Sequence, residues 1–321
     1  MTKKRPVFAI ALSVTFLLAI TAPTAGQWLY DQRWPSTGII MLMYLGMGLN
    51  TDTSMLKTGL SQWKLHLSVQ FALFIIAPLM SFVLFMILAS QGYGEGAVGL
   101  LFVGAIPSTI TSCIMLTKRY GGNAVGSLYN AVLSQILGVV ITPLILSIVL
   151  TAQFETVSSF GTVLLSLVQK MILPFIVGQF LQQFKHRLGK PGQVVSFYGI
   201  FFILYMNLAK VASQGNLGNT LGALAIPLLA AIVLCTIQIF ATYSQGLILR
   251  LSIEDRIALV FTGSQKTLGM GVPLTSIYFA NSANIAIDAT LVIIVYYLAA
   301  MILTVAVVPL ITRSTRVRNS P

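Results

Sequence analysis

The chain has 321 residues, of which 8% are charged and 56% hydrophobic, with a mean hydropathy of +0.89 and a formal net charge of +12. A soluble domain carries about 25% charged residues because most of its surface meets water, so these figures exclude an ordinary soluble enzyme and a disordered chain. They point to a helical integral membrane protein, and the alternating ten-residue pattern of an outer-membrane barrel is absent.

In chain order, apolar stretches bounded by charges or turn residues predict ten transmembrane helices, at 6–24, 36–51, 66–90, 97–117, 124–152, 160–183, 193–212, 221–249, 257–279 and 286–312. A helix needs roughly 20 apolar residues to cross a bilayer, with tilt or breaks absorbing the spread. The first stretch has a basic head, a long apolar run and small residues near Ala25. Those features read as a retained first helix or as a cleaved signal peptide, and cleavage would leave nine helices.

The basic residues test this count. With the N-terminus in the cytoplasm, Lys3, Lys4, Arg5, Lys57, Lys64, Lys118, Arg119, Lys185, Arg187, Lys190, Arg250, Arg256, Arg313, Arg316 and Arg318 all fall on the cytoplasmic side. Only Arg33 falls outside, and Lys170, Lys210 and Lys266 lie within spans. A miscounted span would scramble this asymmetry, so it supports a multi-pass protein of the inner (cytoplasmic) membrane with both termini cytoplasmic. The net charge is then topology, and with no basic stripe interleaved with aromatics, no nucleic-acid partner is expected. Cys113 and Cys235 sit in apolar stretches, and His66 and His186 beside lysines at segment ends. No catalytic constellation, metal site or cofactor is expected, sodium excepted.

Three short strings recur in the same order in both halves. Phe102, Gly104 and Ser108 in span 4 match Phe261, Gly263 and Thr267 in span 9 at an offset of 159. "VVITPLI" in span 5 matches "VAVVPLI" in span 10, and "SVQF" around Gln70 matches "TIQI" around Gln238. They suggest two five-helix repeats, 1–152 and 160–321. Five is odd, so the second copy enters from the opposite side, an inverted repeat of the secondary-transporter kind. Spans 4 and 9 hold the most polar intramembrane stretches and are expected to unwind, with Gly104, Pro107, Gly263 and Gly269 as helix breaks.

At these residues the chain resembles the bile acid:sodium symporter superfamily, nearest the branch of sodium/bile acid cotransporter 7 and its bacterial relatives. The matching strings are "QFALFIIAP" from Gln70 to Pro78, "PSTITSC" from Pro107 to Cys113, Gly122–Asn123, and Thr142–Pro143. The resemblance implies crossing, broken helices 4 and 9, and a core of spans 3–5 and 8–10 working against a panel of spans 1, 2, 6 and 7. It places Ser112, Ser127 and Asn130 at or beside a sodium position, with Gln70 and Gln265 as further ion-binding candidates. It also exposes a departure. Sodium-coupled members carry a glutamate four residues before the glutamine, where this chain has Phe261, and Lys266 follows Gln265. Two sodium ions at mid-membrane would then face neutral oxygens and a resident cation.

Lys266, near the middle of span 9, carries three hypotheses: it fills a sodium site permanently, attracts an anionic substrate, or exchanges a proton. Snorkelling is the bland alternative. Ser108, Thr109, Ser264 and Thr267 complete the candidate substrate and coupling set, against helix packing as their ordinary role. Lys170 stands between a substrate path and no role, Lys210 reads as snorkelling, and Asp288 as an exposed helix start. Trp28, Trp34 and Trp63 read as interface anchors. The expected protein is an all-α transporter of a small organic anion, possibly sodium-coupled, embedded in lipid as a monomer or weak homo-oligomer. The alternatives are proton- or lysine-based coupling, and a regulatory membrane protein of ion or calcium homeostasis with the same fold.

Overall fold

The computed structural model describes residues 7–51, 62–153, 160–215 and 224–318. Among these residues every regular element is helical. The helices are α1 (Val7–Thr21), α2 (Pro23–Gln32), α3 (Trp34–Asn50), α4 (Trp63–Ser90), α5 (Gly94–Ala105), α6 (Thr111–Arg119) and α7 (Ala124–Gln153). There follow α8 (160–180), α9 (Lys185–Ser213), α10 (Ala225–Ile248), α11 (Ile253–Ser264), α12 (Leu268–Tyr278) and α13 (Ala283–Arg318).

Among the described residues six helices are long and apolar enough to cross a membrane, and a seventh span results if α1 and α2, bent by 94°, count as one. Three features account for the gap from the ten predicted spans, and the second of them, the interruption of spans 4 and 9, was expected. The first predicted span turns sharply at Ala22, ahead of Pro23 at the start of α2. Spans 4 and 9 are each two short helices, α5–α6 and α11–α12. At 17 residues, α3 reaches only about 25 Å, less than the ~30 Å hydrocarbon core.

Prolines shape the long helices. α4 contains a π-helical turn at Ala72–Ile76 and α8 one at Val168–Ile172, each two residues ahead of a proline, Pro78 and Pro174. Proline has no N–H, so a carbonyl one turn earlier is orphaned and the ladder widens locally. The Ala77 N–H is given to the Ala72 carbonyl and Pro78 has no N–H, so the Leu73 carbonyl lacks its π-helical partner.

The chain divides into two compact units. The first comprises Met1–Thr51, Leu150–Ala225 and Gly271–Thr290. Its helices approach closely through glycine: a Cβ on Gly48 would collide with the Phe175 carbonyl, and one on Gly46 would lie 2.7 Å from the Gly192 carbonyl. Small residues permit this where lipid offers no hydrophobic drive. Here Lys210, in the last turn of its helix, extends to an ion pair with the exposed Asp31 at 2.7 Å, and Asp288 is half-buried, not exposed. Trp28, Trp34 and Trp63 are 57%, 67% and 61% exposed.

The second unit comprises Asp52–Val149, Ile226–Met270 and Leu291–Pro321 and contains the whole of both helix breaks. Among the described residues, Leu65, Val69, Ala72, Leu73, Ala258 and Leu259 form its apolar centre. His66, in the first turn of α4, is buried: it is 8% exposed, and its ring lies 4.0 Å from that of Tyr129.

Candidate functional site

The helices α5 and α11 are both 12 residues long and begin and end at the same offset of 159 that relates the sequence strings. Each is followed by one extended residue, Ile106 (φ −74°, ψ 148°) and Gln265 (φ −84°, ψ 134°). For Ile106 the cause is Pro107, which disfavours the helical region for its predecessor. The breaks therefore run over 106–110 and 265–267. Of the expected helix breakers, Pro107 lies in a break. Gly104 and Gly263 are penultimate residues of α5 and α11, and Gly269 is the second residue of α12. The first two serve close packing rather than unwinding. A Cβ on Gly104 would overlap Ser81 Oγ, and one on Gly263 would lie 2.9 Å from Thr242 Cγ2.

Unwinding strands backbone carbonyls in a dry interior, where each unmet group costs ~1–3 kcal/mol. The structure meets them one by one. The two breaks join directly, the Thr267 N–H donating to the Pro107 carbonyl at 3.1 Å. Thr142 Oγ1 donates to the Ala105 carbonyl at 2.8 Å and Gln135 Nε2 to Ser108 at 2.6 Å. Across the other break, Gln238 Nε2 donates to the Gly263 carbonyl at 3.1 Å and Tyr296 Oη to Ser264 at 2.8 Å. Tyr296→Phe removes one donor and leaves the Ser264 carbonyl orphaned. It is expected to cost about 1–3 kcal/mol, read as a lowered unfolding midpoint in detergent.

Lys266 completes the set. It is 1% exposed, and its ammonium donates to the carbonyls of Ile106 (2.9 Å), Gly104 (3.2 Å) and Leu73 (3.5 Å). Two of these lie at the carbonyl end of α5, where the helix dipole favours a cation. The third is the carbonyl opposite Pro78. Three ammonium donors meet three oxygens that the local backbone leaves unsatisfied, so the charge needs no carboxylate and does not reach an interface. Snorkelling is excluded by this burial.

The expected ion-binding residues separate into three hydrogen-bond groups. Ser112 Oγ donates to Gln265 Oε1 at 2.7 Å. Ser127 Oγ pairs with Thr262 Oγ1 at 2.8 Å and accepts from Thr117 Oγ1 at 3.3 Å. Gln70 Nε2 donates to Asn130 Oδ1 and to the Asn130 carbonyl, both at 3.2 Å, while Asn130 Nδ2 faces His66 Nδ1 at 3.0 Å. Ser264 is spent on its own helix through the Val260 carbonyl, Ser108 Oγ approaches the Thr109 carbonyl at 3.5 Å, and Thr109 is half-buried. Phe261 is fully buried and stacks on Tyr120 with ring centroids 5.6 Å apart. Sequence reading missed Gln135, Thr262 and Tyr296; their signal was polarity inside apolar spans, which is too common to single out.

Interrupted apolar helices that join at their breaks around a buried cation are the build of a helical membrane transporter. The profile of the SBF-like CPA transporter family matches residues 7–313, and the chain belongs to that family. Among its relatives, an uncharacterised Pseudomonas aeruginosa protein is 31% identical over 86% of this chain and 84% of its own length. Sodium/bile acid cotransporter 7-B of Xenopus laevis is 25% identical over 95% of this chain and 91% of its own. Sodium/bile acid cotransporter 7 of Rattus norvegicus is 25% identical over 85% and 81%. The resemblance to the bile acid:sodium symporter superfamily holds, and the protein is a multi-pass membrane transporter rather than an enzyme.

Proposed function

We propose that the chain is a secondary active transporter of a small organic anion working by alternating access. Ten spans form two inverted five-helix repeats, 1–152 and 160–321, in the inner membrane with both termini cytoplasmic. A core of spans 3–5 and 8–10 shifts against a panel of spans 1, 2, 6 and 7. The observation that carries this reading is the join of the two breaks, through the Thr267 N–H on the Pro107 carbonyl, beneath the Lys266 ammonium. The match of α5 and α11 at offset 159 supports the duplication.

In this reading Lys266 is the resident cation of the crossing and replaces an ion there. A residual sodium site is the second reading, favoured by the sodium in the relatives' names. The separation of Ser112, Ser127 and Asn130 into three groups supports the first. The test is uptake into proteoliposomes, after a thermal-shift screen of small carboxylates has found a ligand. Uptake driven without a sodium gradient, and unaltered by Ser112→Ala with Asn130→Ala, is the expected result. Strict sodium dependence abolished by that pair would establish the second reading, and no gradient-driven flux of any ligand would remove both.

A further inference from the structure

The unit of Met1–Thr51, Leu150–Ala225 and Gly271–Thr290 holds a small cavity of its own, about 80 Å³, lined by Tyr30, Arg33, Ser36, Lys170, Asn207 and Ser276 among others. Among the described residues no carboxylate lines it. Asp31, the acid between Tyr30 and Arg33 in sequence, is taken by Lys210 at 2.7 Å. Arg33 spends one guanidinium N–H on Asn281 Oδ1 at 2.9 Å, and a guanidinium has five. Lys170 has no hydrogen bond or ion pair among the described residues, so its three donors are uncommitted.

Of the neutral groups, Ser36 donates its hydroxyl to the Arg33 carbonyl at 2.7 Å and Asn207 donates to the Ile203 carbonyl at 3.0 Å, which leaves Ser276 as the neutral donor. Asn207, 2% exposed, donates through Nδ2 to Ser276 Oγ at 3.1 Å, which leaves the Ser276 hydroxyl proton free to point elsewhere. Ser36 lies in the first turn of α3, where unpaired N–H groups and the helix dipole add positive potential. Arg33 is held at φ 59°, a left-handed backbone that L residues rarely adopt, at the joint between α2 and α3. Strain of this kind on a charged residue is characteristic of ligand sites.

We propose that this cavity is an oxyanion site, in which Lys170 and Arg33 hold a carboxylate or a phosphate-type group and Ser276 donates a further hydrogen bond. Its volume admits the charged head of a solute and leaves the remainder outside. The site rests on the anion-transport reading only for its role as the docking point of the substrate's head group; binding itself needs no transport. A phospholipid head group offers the same chemistry as a soluble anion, and the experiment separates the two.

The probes are inorganic phosphate and acetate, titrated at constant ionic strength against chloride into the full-length protein in neutral detergent. Saturable stabilisation over chloride is expected, weakened at least about tenfold by Lys170→Gln and by Arg33→Gln and retained by Lys170→Arg. Wild-type affinity in both neutral variants, or no saturable binding at all, overturns the site. Should the glutamine variants not fold, phosphate must protect Lys170 of the wild type from amine acylation, and absence of protection is equally fatal. In nanodiscs, binding lost with phosphatidylglycerol but kept with phosphatidylcholine identifies a lipid head group as occupant, whereas equal binding identifies a soluble anion. Oxyanion binding without gradient-driven uptake leaves the site standing and removes the transport reading; uptake without oxyanion binding removes the site alone.

Discussion

Lys266→Ala is expected to reduce uptake below detection and to turn the helix crossing into a site for a monovalent cation. The substitution removes three charge-assisted hydrogen bonds and leaves the carbonyls of Leu73, Gly104 and Ile106 facing an unfilled space. Each buried orphan costs ~1–3 kcal/mol, and the cavity adds to it. Burying the ammonium had its own desolvation cost, which the alanine no longer bears, so the net loss is expected at about 2–4 kcal/mol. Three converging carbonyls are cation ligands, so added sodium or potassium is expected to raise the unfolding midpoint of Lys266→Ala and not of the wild type. Lys266→Met, which fills the space with an apolar chain, is expected to lose uptake without cation rescue. Wild-type uptake and stability in both variants would remove the resident-cation reading.

Gly104→Ala is expected to destabilise the same unit by about 2–4 kcal/mol through overpacking. A Cβ there overlaps Ser81 Oγ and lies 2.9 Å from Ser81 Cβ and 3.0 Å from the Ala77 carbonyl. The serine could rotate, but its Oγ is anchored to the Ala77 and Pro78 carbonyls, and backbone cannot yield without parting α4 from α5. Parting them carries the Gly104 and Leu73 carbonyls away from each other, and Lys266 binds both. Ser81→Gly in the Gly104→Ala background is therefore expected to recover more than half of the lost stability. Additive losses in that double-mutant cycle would show that the two positions do not meet. Denaturation in detergent and uptake should fall together in the single variant and return together in the double.

Much of this unit was visible in the chain because its signals are local. Pro107 favours a break because it lacks an N–H and constrains its predecessor, although Pro143 and Pro273 stand inside helices. The 159-residue offset between Phe102 and Phe261 marked two helices that the structure then starts and stops in register. The glycines misled for the same reason: Gly104, Gly263 and Gly269 read as places of unwinding, yet all three are helical, and at Gly104 and Gly263 a bare Cα makes room for a neighbour. His66, near Lys64 at a segment end, gave no sign of its burial: α4 turns the imidazole inward toward Tyr129.

The sequence by itself determined that this is a membrane protein with interrupted helices and an unmatched lysine inside one of them, since hydropathy, proline and charge act where they stand. Only the tertiary structure decided how that lysine is paid for. Its partners lie 160, 162 and 193 residues away, and each is an oxygen released by a helix end or a proline. A backbone carbonyl carries no residue-type signal, so no reading of side chains along the chain could have matched Lys266 to Leu73. The same holds for Lys170 and Arg33, 137 positions apart by their numbering, which become one cationic cavity only when α2, α3 and α8 fold together.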